Sequence, residues 1–322
     1  MGLNARMLRE ALMALLNFKR RETAAPANGQ LEGFMSGYSI EVMPRTAEKV
    51  EDFRDLLPKG TRVYIAHIDG TEIGDMVATA KRIAGEGFEV MPHFPARSIA
   101  DKTTLADWIA RYQGEAGIDQ ALLLGGGIPQ PRGDFHSSMQ LIETGLFDQA
   151  GFKRLHVAGH PEGNRDIDPD GGDAMVMEAL RWKQDFTTRT DAKVAMATQF
   201  AFEAAPIIAW ADRLKAAGIE IPIHVGIAGP AKLQTLIKFA IACGVGPSLK
   251  VLQKRAMDVT KLVLPYTPAD VLADLAAHKA AHPDSLIEQV HVFPLGGIKS
   301  AAQWITENAG TAGLPAAQAA RG

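Results

Sequence analysis

From Ser39 onward, short continuous apolar runs alternate with longer stretches in which apolar residues recur at helical spacing. Runs of five or six residues rich in Val, Ile, Leu and Ala, with few polar alternations, are the pattern of strands buried on both faces. They predict strands over 39–43, 62–67, 88–93, 119–124, 154–159, 193–198, 222–226 and 289–293. The intervening segments are long enough for parallel crossovers and predict helices over 47–57, 72–86, 101–115, 174–188, 204–217 and 230–243. The stretch 245–287 is longer and predicts one or two extra helices, with Pro265 and Pro268 between them. Eight strand–helix units are the count of a (β/α)8 barrel, so a single TIM barrel over 38–310 is the expected fold. A doubly wound sheet of this length has fewer strands. Ahead of the barrel, Leu8, Leu12, Leu15 and Leu16 predict an extra N-terminal helix over 3–18. An Ala-, Pro- and Gly-rich linker over 23–37 follows it, and 311–322 reads as a C-terminal tail.

Composition narrows the function. A formal net charge of -3 leaves no basic excess to neutralise phosphates, so nucleic acid is not the expected partner. Arg6, Arg9 and Glu10 interrupt the apolar face of the N-terminal helix, which excludes it as a membrane span or signal core. Cys243 is the single cysteine, so neither a disulfide within the chain nor a thiolate metal cluster can form. That usage fits a cytoplasmic location. Cys243 itself reads as a small core residue.

The carboxyl ends of barrel strands carry the active-site face. Here those ends read Glu41, His67, His93, Gly125-Gly126-Gly127, His160, Gln199 and Gly226, with Gly296-Gly297 after the last strand. The glycines would let a ligand approach the backbone. Glu41 stands in the apolar run Tyr38-Ser39-Ile40-Glu41-Val42-Met43-Pro44, where an unpaired carboxylate is costly to bury. Two readings stay open from the run alone. Glu41 faces solvent or pairs with Arg45, or it points into a pocket, where burial raises its pKa and makes it a general acid. The histidines have no H-x-H or H-x-x-x-H spacing, so no metal site is expected, and no serine sits on a G-x-S-x-G turn.

Six runs in order resemble the methylenetetrahydrofolate reductase family over roughly 39–300. Ser39–Pro44 is similar to the family's S-F-E-F-F-P, and Pro92-His93 to the P-H ending its third strand. Val157-Ala158-Gly159-His160-Pro161-Glu162 resembles V-A-x-Y-P-E, and Thr198-Gln199-Phe200-Ala201-Phe202 resembles T-Q-F-F-F. The run 217–227 resembles A-G-I-x-V-P-I-x-P-G-I, and Lys238-Phe239-Ala240 matches K-F-A. The resemblance implies reduction of 5,10-methylenetetrahydrofolate to 5-methyltetrahydrofolate, or the reverse, with NAD(P)H and FAD, in a homo-oligomer. It implies Glu41 as the proton donor and Gln199, Phe202 and Phe239 as contacts to folate or nicotinamide. It implies a cofactor surface of His93, Gly125, Gly126, Gly127, Ala158, His160, Asn164 and Lys183.

This chain departs from the family at the flavin. The family's R-G-D on the fourth strand is Gly125-Gly126-Gly127, its Tyr is His160, and its following His is Asn164. A flavin-contacting Thr is Ala66, Trp182 replaces an Arg beside Lys183, and the last-strand N-R pair is Gly296-Gly297. Two explanations remain open: FAD held by the backbone of the glycine run and Lys183, or hydride passed directly from nicotinamide to folate. A non-catalytic barrel subunit of a larger complex is the alternative from another class.

Overall fold

The computed structural model describes residues 28–243, 251–253 and 265–309. The expected helix over 3–18 and the tail over 311–322 lie outside the described residues, as do 244–250 and 254–264 of the long seventh connection. Eight parallel strands pair in chain order and β1 closes on β8, so the chain is a (β/α)8 barrel. They are β1 Ser39–Val42, β2 Arg62–Ile65, β3 Glu89–Pro95, β4 Gln120–Leu124, β5 Arg154–Gly159, β6 Lys193–Ala201, β7 Ile223–Ala228 and β8 Ile287–Phe293.

The helices follow the apolar periodicity with two corrections. The stretch 28–35, expected as linker, forms α1 (Asn28–Met35), which packs Phe34 and Met35 against the barrel. The single helix expected over 47–57 is instead α2 (Pro44–Ala47) and a separate turn over Phe53–Asp55. Pro44 sets the helical φ at the start of α2, and the Asp52 carboxylate caps the second turn by accepting from Arg54 N at 2.8 Å. The others are α3 (Ile73–Gly85), α4 (Lys102–Ala116), α5 (Ser138–Glu143), α6 (Leu146–Gln149), α7 (Ala174–Phe186), α8 (Ala204–Ala216), α9 (Leu233–Ala242), α10 (Ala269–Ala281) and α11 (Ile298–Ala309). Their ends have local causes. Asp101 accepts from Thr104 N at 2.7 Å to start α4, and Gly117 ends it at φ 66°, a left-handed conformation that suits glycine. The buried Asp168 carboxylate accepts from Met175 N and Val176 N at 2.9 and 3.0 Å, which fixes where α7 starts beside the barrel mouth.

The core falls into three clusters, one of them around Phe200 and Phe202 at the barrel mouth. The largest fills the space between strands and helices, with Phe94 packed against Trp108, Tyr112 and Phe147. A small inner shell of Tyr64, Met91, Leu122 and Ala197 fills the barrel itself. The amino-terminal rim of the barrel is closed by polar pairing: Arg62 bridges to Glu89 and donates to Gln120 Oε1 at 2.8 Å. No described helix is long and apolar enough to cross a membrane.

Candidate active site

The alternation along β1 puts Ser39 and Glu41 inside while Ile40 and Val42 join the outer core. Glu41 therefore points inward near the carboxyl end, opposite Tyr64 of β2. Its Oε2 lies 3.2 Å from His93 Nε2 and 3.8 Å from His291 Nε2. Burial works to raise the pKa of Glu41, but the imidazoles of His291 and His93 facing its carboxylate outweigh it and bring it down to about 2. The expected raised pKa is thus overturned. A carboxylate between two imidazoles is stabilised as the anion, and the strand alone could not disclose those partners.

The other strand ends divide. His160 and Gln199 line one cleft at the mouth, together with Pro161, Asn164, Arg165 and Cys243. Burial, with Lys183 close by, pushes His160 down to about 4, so it is a neutral imidazole at pH 7. Asn164 spends its side-chain oxygen on Asp166 N at 2.9 Å. Cys243, expected in the core, is exposed on this cleft. Partial burial and the charge of Glu41 push its thiol up to about 11, which leaves no thiolate for nucleophilic chemistry. His67 is not part of the cluster, for its ring stacks on Trp108 at 4.8 Å and its Nε2 meets Thr71 O at 3.0 Å. Phe202 is buried among Phe200 and Tyr266 rather than facing the cleft. Phe239 is half-buried against the same cluster.

Two of the glycine ends have a different cause from the one expected. A Cβ on Gly226 would run into the carbonyl oxygens of Thr198 and Gln199, and one on Gly296 into that of Pro230. Backbone, not a ligand, makes the close approach there. The register of β6 on β7 shifts between Ala197 and Phe200, and Thr198 Oγ1 accepts from Gly226 N at 2.9 Å. This bulge turns Gln199 outward to the cleft.

Lys183 is buried on the inner face of α7, and its ammonium donates to Ala158 O at 3.1 Å. Burial alone lowers its pKa to about 8. The unfolded chain then holds more protons than the fold between about pH 8 and 10.5, so on this account stability rises with pH across that window. Lys183→Met is accordingly expected to stabilise the protein at pH 7 by on the order of 1–3 kcal/mol. The gain should vanish above pH 10.5, as chemical denaturation at both pH values would measure.

The flavin of the resembled family does not fit these residues. Gly125, Gly126 and Gly127 present no side chain to an isoalloxazine, and a Cβ at Gly125 or Gly127 would meet nothing within 4 Å. Asn164 is engaged within its own loop. The buried Lys183 ammonium is bonded to a carbonyl and is not among the residues lining the mouth cleft. No group of three or more His, Cys, Asp or Glu that could hold a metal ion occurs among the described residues.

The strand-end reading missed four interior side chains: Tyr64, His156, His224 and His291. All are buried, and the Tyr64 hydroxyl bonds His156 Nδ1. The signal was present, since each histidine stands mid-strand in an apolar run, two residues from an inward-facing neighbour.

No protein-family model matches the chain. Similar solved structures include a mandelate racemase/muconate lactonizing enzyme from Bordetella bronchiseptica RB50, 14% identical over 80% of this chain, TM-score 0.39. The chain spans about half, 53%, of the length of that protein. A putative chitinase A from Streptomyces coelicolor is 12% identical over 86% of this chain and 97% of its own, TM-score 0.41. The DHPS of Yersinia pestis with a pterine-sulfa conjugate is 13% identical over 84% of this chain and 93% of its own, TM-score 0.39. Likenesses this distant carry no argument about chemistry, and the barrel rests on the pairing of its own strands.

Proposed function

We propose that the chain is a one-carbon folate oxidoreductase that reduces 5,10-methylenetetrahydrofolate to 5-methyltetrahydrofolate, with NAD(P)H as the hydride donor. The observation that carries the reading is Glu41 held between His93 and His291 at the barrel mouth, within a run of motifs resembling the methylenetetrahydrofolate reductase family. The reaction consumes one proton and one hydride. The proton goes to N10, the methylene–N10 bond breaks with its electron pair leaving on nitrogen, and the resulting iminium carbon accepts hydride.

A low pKa in the ligand-free protein is compatible with an acid role. In the ligand-free protein the facing imidazoles favour the Glu41 anion, whose Oε2 lies 3.2 Å from His93 Nε2. When pterin and nicotinamide fill the mouth and expel water, desolvation penalises the carboxylate charge. The protonated form of Glu41 is then favoured, and the carboxylic acid faces the substrate. Bound nicotinamide supplies the hydride. Because the residues at Gly125–Gly127 do not suit a flavin, we assign direct transfer from nicotinamide to the iminium.

The purified protein is expected to oxidise NAD(P)H only when methylenetetrahydrofolate is added. Oxidation without folate, or none with it, would refute the reading. Gln199 is assigned a hydrogen bond to the pterin. Gln199→Ala is expected to raise the folate KM by about 5- to 30-fold, the loss of one ligand hydrogen bond. Thermal stability should stay within about 0.5 kcal/mol, because the side chain is exposed without ligand.

A further inference from the structure

The interior side chains form a line from one end of the barrel to the other. At the mouth, Glu41 Oε2 faces His291 Nε2 at 3.8 Å, and His291 Nδ1 meets Ser39 Oγ at 2.9 Å. The Tyr64 hydroxyl stands near Ser39 on the neighbouring strand and bonds His156 Nδ1. The His156 and His224 rings meet edge to face with centroids 4.6 Å apart. His156 Nε2 and His224 Nδ1 have no hydrogen-bond partner among the described residues. His224 Nε2 then lies 3.2 Å from Glu288 Oε2, and the Glu288 side chain is 57% exposed. Glu288 is the second residue of β8, so it opens on the amino-terminal face, opposite the mouth.

Packing alone does not explain this line. Apolar residues would fill the barrel at lower cost than three buried imidazoles, a phenol and a hydroxyl, since each buried polar group must be satisfied. Two ring nitrogens are left unsatisfied where His156 and His224 meet. Every group in it can both accept and donate a proton.

We propose that this line is a proton relay that refills Glu41 from the amino-terminal face of the barrel. The refilling role rests on the proposed folate reduction, in which Glu41 loses one proton per turnover while ligands cover the mouth. A proton taken up at Glu288 passes to His224 Nε2, and the His224 Nδ1–H passes its own to His156 Nε2. The His156 Nδ1–H gives to the Tyr64 hydroxyl, Tyr64 to Ser39, Ser39 to His291 Nδ1, and the His291 Nε2–H to Glu41. Each relay group ends with as many protons as it began with, and the net transfer is one proton from solvent to Glu41. No oxidant or reductant is involved. Burial holds His156, His224 and His291 below the usual histidine range, so the resting relay is neutral and does not trap the proton. Arg62 and Arg154 stand near its lower half, His93 near its upper end, and Lys279 and Arg154 near Glu288.

Solvent exchange of the His156 and His291 ring N–H protons, followed by nitrogen-15 NMR on the ligand-free protein, tests the relay without requiring turnover. Glu288→Gln is expected to slow both exchanges about 10-fold and Glu288→Asp to restore them. Tyr64→Phe, which keeps the ring and deletes the hydroxyl, should slow His291 and spare His156. If Tyr64→Phe does not fold, Glu288→Gln on the exposed rim decides alone. Unchanged exchange at both histidines in Glu288→Gln would overturn the relay. In turnover, Glu288→Gln should lower kcat about 10-fold at unchanged folate KM. Slowed exchange in a protein that does not reduce methylenetetrahydrofolate would leave the relay standing and remove the folate reading. Turnover with unaltered exchange and kcat would do the reverse.

Discussion

Glu41→Gln is expected to lower NAD(P)H-dependent reduction of methylenetetrahydrofolate by about 10²- to 10⁴-fold, the span that a general acid contributes. Nicotinamide binding should be nearly unchanged, because the amide keeps the shape of the carboxyl and removes only the proton. Comparison of kcat, folate KM and nucleotide affinity, the last by fluorescence titration, separates these effects. Turnover by the variant near the wild-type rate would remove Glu41 from the mechanism.

The same substitution has a pH signature. The folded pKa of Glu41, about 2, lies below its ordinary value of 4.5. The unfolded chain therefore binds more protons between those values. Stability from this group is fully present above about pH 4.5 and is lost as pH falls toward 2. Glu41→Gln lacks that contribution, so its stability should fall less steeply over that acid window. Equal slopes in acid denaturation would show that His93 and His291 do not hold the anion.

Gly226→Ala is the structural substitution with the largest expected effect. An added Cβ would fall 2.5 Å from the Gln199 carbonyl oxygen, with the Thr198 carbonyl also inside contact, and neither is a flexible side-chain end. Either β7 or the β6 bulge must move. A cost of about 3 kcal/mol or more is expected, above the usual range for overpacking because backbone meets backbone. Variants that fold should also bind folate more weakly, since the same bulge sets the direction of Gln199. Gly125→Ala is the control, for its Cβ meets nothing within 4 Å, and its stability should change by less than about 0.5 kcal/mol. A Gly226→Ala protein as stable as this control would show that the bulge relaxes freely.

The barrel was legible because each strand carries its own signal. A run such as Ala121-Leu122-Leu123-Leu124 cannot stay in water, and eight such runs with crossover-length gaps leave few architectures. Boundaries held within a few residues where caps are local, as at Asp101 and Gly117. They failed at 47–57, where the helix begun at Pro44 stops at Ala47 and Asp52 caps a separate turn, and at 28–35, where helix formation depends on packing against the barrel.

Glu41 marked itself in the sequence as a carboxylate in an apolar strand. Whether it was to be acid or anion was not in the strand, because His93 and His291 reach it from β3 and β8, the latter 250 positions away in the chain. The same holds for Gly226, whose lack of a side chain is required by β6 rather than by a ligand. Periodicity and apolar run length, which act on neighbours along the chain, determined that there is a barrel and which end of it carries polar groups. Charge state, the outward turn of Gln199 and the line from Glu41 to Glu288 were decided only by closure of the sheet. Closure brings side chains from distant strands within a few ångströms of one another in a desolvated interior, where hydrogen bonds and burial compete directly for each proton.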